Sequence, residues 1–126
     1  MSPLLLNGKR GLLLEDDGLI AANTGSDLAE VGAVVDAVAT CTEGLRLLAE
    51  QDFDFAVLDI KLVDETSYAL AAELRHRGVP FLFISGYDRT RADFADAILL
   101  QKPFSRDALL AAIEGLIRED EGHERV

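Results

Sequence analysis

Six side chains in this sequence are of reactive type and stand where the chain changes character. Glu15, Asp16 and Asp17 form an acidic run directly after Leu12-Leu13-Leu14. Asp59 closes the apolar run that starts at Phe55, Ser85 follows Phe83-Ile84, and Lys102 follows Leu99-Leu100-Gln101. Crowded carboxylates repel one another and resist full ionisation. A hard divalent cation in an all-oxygen shell, Mg²⁺ above all, relieves that repulsion. An Asp carboxylate can attack a phosphoryl group, and the transfer then asks mainly for positioning and charge neutralisation. In that chemistry Mg²⁺ would hold one phosphoryl oxygen, the Lys102 ammonium a second and the Ser85 hydroxyl a third. Taken singly, each residue is ordinary. A strand-end Asp is usually a turn or cap residue, an acidic run suits a helix start, a Lys before Pro is a surface residue, and Ser-Gly reads as a turn. Their joint placement carries the reading.

The elements that must position them follow from apolar patterning. Short apolar runs bounded by polar residues suit buried parallel strands. Five such runs occur, at 11–14, 33–39, 55–58, 79–84 and 97–100. Helices are expected between them: 19–31, from Thr42 onward, from a Thr66 or Ser67 cap to Arg77 with Gly78 as the stop, a short polar one over 88–96, and a last one from a Ser105 cap to about Arg118. Leu109, Leu110, Ile113, Leu116 and Ile117 form the apolar stripe of that last helix. Strand–helix alternation repeated in this way implies a doubly wound α/β fold with a parallel sheet and right-handed crossovers. Such a sheet gathers the carboxyl ends of its strands along one edge, where ligands bind. That edge brings Glu15, Asp16, Asp59, Ser85 and Lys102 to one place.

Composition sets the outer bounds. The chain of 126 residues fits one domain. Its 23 Asp and Glu against 12 Lys and Arg argue against nucleic-acid binding. The lone Cys41 reads as a packed thiol, and His76 and His123 have no sequence neighbours that would make a zinc site. No apolar stretch of roughly 18 residues suggests a membrane span, so a cytoplasmic protein is expected. Residues 1–8 read as a short leader, 9–118 as the domain and 119–126 as a charged, frayed tail.

The pieces Leu-Leu-Leu-Glu-Asp-Asp (12–17), Ala-Val-Leu-Asp-Ile (56–60), Phe-Ile-Ser-Gly-Tyr (83–87) and Gln-Lys-Pro-Phe (101–104) resemble, in order and spacing, the receiver domain of response regulators. The resemblance implies a CheY-like, flavodoxin-like sheet of five strands in the order 2-1-3-4-5, flanked by five helices. It implies that Asp59 accepts a phosphoryl group from the phosphohistidine of a sensor histidine kinase or a histidine phosphotransfer protein. By position, Asp16 is the direct Mg²⁺ ligand, Glu15 acts through water, the backbone carbonyl of Lys61 is a further ligand, Ser85 is the hydroxyl switch residue, and Lys102 pairs with the phosphate. The Lys102–Pro103 bond is expected to be cis. Two departures stand out. Leu100 replaces the aromatic ring that many receivers turn inward on activation, and the stretch 61–67 lacks the frequent Pro-Gly turn. These features resemble the single-domain receivers called the FATGUY group, associated with HWE-type kinases. Tyr87 is then either a substitute switch that moves with its loop or a partly exposed aromatic packed on that loop, and Lys61 either tunes acyl-phosphate hydrolysis or is solvated. Phe81, Phe83, Phe94 and Phe104 read as packing residues.

The expected role is a stand-alone phosphorylation switch, a monomer or weak homodimer, acting by protein contact or as a phosphate sink. It is not expected to be an enzyme beyond self-phosphorylation and slow autodephosphorylation. An aspartate-nucleophile phosphatase of the haloacid-dehalogenase type would carry a second Asp two residues after the nucleophile, where this chain has Lys61. A pseudo-receiver that only binds partners would lack the acceptor, the lysine or the acidic pair, and all three are present.

Overall fold

Five parallel strands form the centre of the structure, a computed structural model that describes the backbone of residues 5–124 and the side chains of 5–120. They are β1 (Arg10–Leu14), β2 (Val34–Val38), β3 (Phe55–Asp59), β4 (Phe81–Ser85) and β5 (Ile98–Gln101), in the order β2-β1-β3-β4-β5. β3 and β4 are buried along their whole length, as their unbroken apolar runs require. Among the described residues, four α-helices cover the two faces: α1 (Gly18–Glu30), α2 (Cys41–Glu50), α3 (Tyr68–Arg77) and α4 (Arg106–Glu124).

Each helix starts and stops for a local reason. The Asp17 carboxylate accepts from the backbone N–H groups of Leu19 and Ile20 and so caps α1. Thr40 caps α2 by accepting from Glu43 N–H at 3.2 Å, and Ser105 Oγ accepts from Ala108 N–H at 3.0 Å at the start of α4. Gly78 ends α3 in the left-handed conformation, with φ of 74°. Register on the sheet depends on one close approach. Gly11 of β1 pairs with Phe55 of β3, and a Cβ at 11 would stand 2.3 Å from the buried Phe55 ring.

Two apolar layers sandwich the sheet. One joins Leu12, Leu14, Leu58, Leu70, Leu74, Phe81, Phe83 and Phe94. The other joins Leu13, Phe55, Val57, Leu82, Ile84, Leu109 and Ile113, with Leu100 and Phe104 packed at its margin. Phe81, Phe83, Phe94 and Phe104 are thus packing residues, and Cys41 is a buried thiol that donates to the Thr66 carbonyl at 3.3 Å.

Three expectations need correction. The helix read over 88–96 is a single 3₁₀ turn, Ala92–Phe94, so the fold has four α-helices here instead of five. The last helix does not stop near Arg118 but continues to Glu124, carrying residues 119–124 with it; positions 125–126 lie outside the described residues. Of the leader, residues 1–4 lie outside the described residues, but residues 5–8 form a turn. Leu6 within it is buried, and its N–H donates to the Val31 carbonyl at 2.9 Å, which fixes the segment to the end of α1.

Candidate functional site

The carboxyl end of the sheet collects the predicted residues. Parallel registers place Leu14 beside Leu58, Asp59 beside Ile84 and Ser85 beside Gln101, so the next residues, Glu15 and Lys102, emerge at the same edge. Glu15, Asp16 and Asp59 each offer a carboxylate oxygen, and these oxygens lie within 4.8 Å of one another. Glu15 and Asp59 are buried while Asp16 is partly exposed. Lys102 reaches into this group from the end of β5. Its Nζ donates to Asp59 Oδ2 at 2.9 Å and lies 3.0 Å from Glu15 Oε1.

One ammonium therefore faces two buried carboxylates. The contact to Glu15 Oε1 is a contact between charges without hydrogen-bond geometry, and that oxygen is left as a buried acceptor with no hydrogen-bond donor. Burial, and next the neighbouring Asp59, push the Glu15 carboxyl up to about 7. For Lys102, burial pulls the ammonium down, but its hydrogen bond to Asp59 and the adjacent Glu15 carboxylate outweigh that and hold it above its ordinary value. An orphaned buried carboxylate oxygen beside two further carboxylates is an all-oxygen donor set short of positive charge. It fits a hard divalent cation.

The acidic run divides by role. Glu15 points inward, Asp16 belongs to the cluster, and Asp17 caps α1. Ser85 is buried at the same edge, where its Oγ accepts from Tyr87 N–H at 3.0 Å and its carbonyl accepts from Lys102 N–H at 2.7 Å. The Lys61 side chain is exposed, and its backbone pairs with Thr66 in an isolated bridge across the loop after β3. Tyr87 is 64% exposed, and its N–H is held by Ser85 Oγ. The Lys102–Pro103 peptide is cis. One group that the sequence did not single out is Tyr68 at the start of α3, whose Oη accepts from Arg91 N–H at 3.0 Å. Partners 23 positions apart leave no local pattern to find.

The profile of the response regulator receiver domain family matches residues 12–114. This chain belongs to that family. Receiver domains are the response-regulator side of two-component signalling. The receiver resembles the cell cycle response regulator CtrA of Brucella ovis, at 33% identity over 90% of this chain and 52% of that protein. It thus spans about half the length of the curated relatives it matches. Among solved structures it is similar to a CheY-like response regulator receiver domain protein from Methanospirillum hungatei JF-1. The two share 29% identity, with a TM-score of 0.82 over 93% of this chain and 99% of that one. A response regulator receiver protein from Sinorhizobium medicae WSM419, at 23% identity, shares the fold with a TM-score of 0.78 over 91% of this chain and 98% of that one. No described helix of the receiver is long and apolar enough to cross a membrane.

Proposed function

We propose that this receiver accepts a phosphoryl group on Asp59, in a Mg²⁺-dependent reaction, from the phosphohistidine of a sensor histidine kinase or a histidine phosphotransfer protein. The observation that carries the reading is Lys102 Nζ set 2.9 Å from Asp59 Oδ2 beside the Glu15–Asp16–Asp59 carboxylate cluster. Lys102 engages one oxygen of Asp59 and leaves the other to attack phosphorus. The phosphorus–nitrogen bond of the donor breaks, an acyl phosphate forms, and the imidazole leaves with the electron pair. Asp16, Asp59 and the Lys61 carbonyl would hold the metal, with Glu15 contributing through water. The bound ion supplies positive charge for the phosphoryl oxygens. Lys102 neutralises a second oxygen, and the Ser85 hydroxyl, which already accepts from Tyr87, keeps its proton to donate to a third. Subsequent hydrolysis of the acyl phosphate by water returns the carboxylate, and this slow cycle is the whole of its catalysis. Output passes through protein contacts or through drainage of phosphoryl groups from a shared kinase. The motif Phe83-Ile84-Ser85-Gly86-Tyr87 and the absence of an aromatic at 100 support placement in the FATGUY group, with an HWE-type kinase as donor.

Incubation with Mg²⁺ and acetyl phosphate, followed by intact mass spectrometry, tests this. One phosphoryl adduct is expected on the wild type, and none on Asp59→Asn or in the presence of EDTA. Absence of the adduct under conditions that label a known receiver would overturn the proposal.

A further inference from the structure

Leu100 has no ring to turn inward, so the state of Asp59 must reach the rest of the molecule by another route. The connection between β4 and β5, residues 86–97, holds only the Ala92–Phe94 turn and is fastened from outside by α3. Tyr68, the first residue of α3, accepts on Oη from Arg91 N–H at 3.0 Å. Its ring stacks on Phe94, with centroids 5.4 Å apart and planes at 22°, and meets Phe83 edge-on at 5.6 Å. The Arg91 guanidinium covers the other part of the ring, 4.5 Å from its centroid. Two turns further along α3, Arg75 lies 4.6 Å over Phe94 and donates to Asp93 O and Asp96 Oδ1, each at 3.0 Å.

Both ends of this clamp lead back to the site. Ser67, next to Tyr68, is fully buried, and its N–H donates at 2.9 Å to the carbonyl of Ile60, the neighbour of Asp59. Arg91 lies four residues after Tyr87, whose N–H is held by Ser85 Oγ. Ile60 N–H donates to Ile84 O at 3.0 Å and closes the circuit. Asp59 and Ser85 thus sit on a ring of hydrogen-bonded chain, and the bond from Arg91 to Tyr68 is the link farthest from the chemistry.

We propose that Tyr68 is the positioning residue through which the state of Asp59 reaches the 86–97 segment: its hydroxyl holds Arg91 before phosphorylation and releases it afterwards. The proposal rests on the reading of Asp59 as the acceptor. A phosphoryl group adds negative charge and strong acceptors beside Ser85 and Lys102. Turning the Ser85 hydroxyl toward it draws the 86–91 loop inward and away from α3. The ring of Tyr68 stays packed between Phe83 and Phe94 while its exposed hydrogen bond from Arg91 is lost. Such an element has two arrangements that one ligand can choose between.

The test is residue-resolved amide hydrogen exchange by NMR on wild type and Tyr68→Phe, with and without Mg²⁺ and beryllofluoride as phosphoryl mimic. Tyr68→Phe keeps the ring and its packing and removes only the acceptor. In the wild type the Arg91 amide should exchange about tenfold faster once the mimic is bound. In Tyr68→Phe the same amide should exchange fast already and change little on adding the mimic, while Asp59 still takes the phosphoryl adduct from acetyl phosphate. An Arg91 amide that does not respond in a wild type shown by mass to form the adduct overturns the latch alone. So does a Tyr68→Phe protein with wild-type protection and response. Absence of the adduct in the wild type overturns the acceptor reading and the latch with it.

Discussion

Glu15 is the residue at which the cost of assembling this site is concentrated. Its side chain is fully buried against Asp59, and Lys102, the one cation within reach among the described residues, is shared with that aspartate. Two carboxylates to one ammonium leave net negative charge where solvent is excluded, and protonating Glu15 is the cheapest remedy without a metal. The folded protein therefore holds this proton more tightly than the unfolded chain, because the carboxyl rises from 4.5 to about 7 on folding. Stability from that excess is fully present below the ordinary value and is lost as pH climbs through the raised one. The metal-free protein should accordingly melt at a lower temperature at pH 8 than at pH 5.5. Thermal unfolding in EDTA over that range should show the decline, and Glu15→Gln, neutral at every pH, should flatten it. A decline of the same size in Glu15→Gln would place its origin elsewhere. Asp17, two positions on, turns its carboxylate away from this group and onto the first N–H groups of α1.

At the scale of elements, β1 and β3 form the floor of the site, and their approach depends on Gly11. Any side chain there enters space held by the Phe55 ring, which is fully buried and has nowhere to go. Gly11→Ala should destabilise the domain by about 1–3 kcal/mol, the usual cost of overpacking a filled core, as read from urea denaturation midpoints. A loss within error of zero would show that β1 and β3 can separate freely. The strands, the first three helices and the start of the last were legible because their causes are local: apolar runs, a Ser105 cap at the start of α4, and a left-handed glycine at 78. The acidic pair, Asp59, Ser85 and Lys102 were legible for a related reason, since a parallel sheet must carry all its strand ends to one edge. The failures have tertiary causes. Residues 88–96 do not form an α-helix because Arg75 and Tyr68 hold Arg91, Asp93, Phe94 and Asp96 against α3. The stretch beyond Arg118 shows no apolar stripe that would mark it as helix, yet α4 runs on through it, with Arg118 pairing back to Glu114 one turn earlier. Leu6 carries no local signal of structure because its partner, Val31, comes 25 positions later in the chain.

The whole molecule carries a net charge of −11, and phosphorylation would add to it. Such a body repels further negative charge, and any cation at all will stabilise it to some degree by screening. Stabilisation by Mg²⁺ is therefore evidence of a site only where it exceeds that general effect. A cation bound in the Glu15–Asp16–Asp59 cluster stabilises the fold by mass action, in proportion to the logarithm of its concentration above the dissociation constant. Screening instead follows ionic strength and is indifferent to which carboxylate is present. The two separate in one experiment. Millimolar Mg²⁺ should raise the melting temperature of the wild type at pH 8 by several degrees more than NaCl at equal ionic strength, a shift of about 1–2 kcal/mol in stability. Asp16→Asn should reduce the Mg²⁺ response to that of NaCl. It should leave the NaCl response unchanged, because removing one partly exposed charge from so acidic a surface alters the overall field little. An Asp16→Asn protein that keeps the full Mg²⁺ shift would mean that the cation acts on the molecule's charge as a whole, and that the carboxylates at the sheet edge do not hold it.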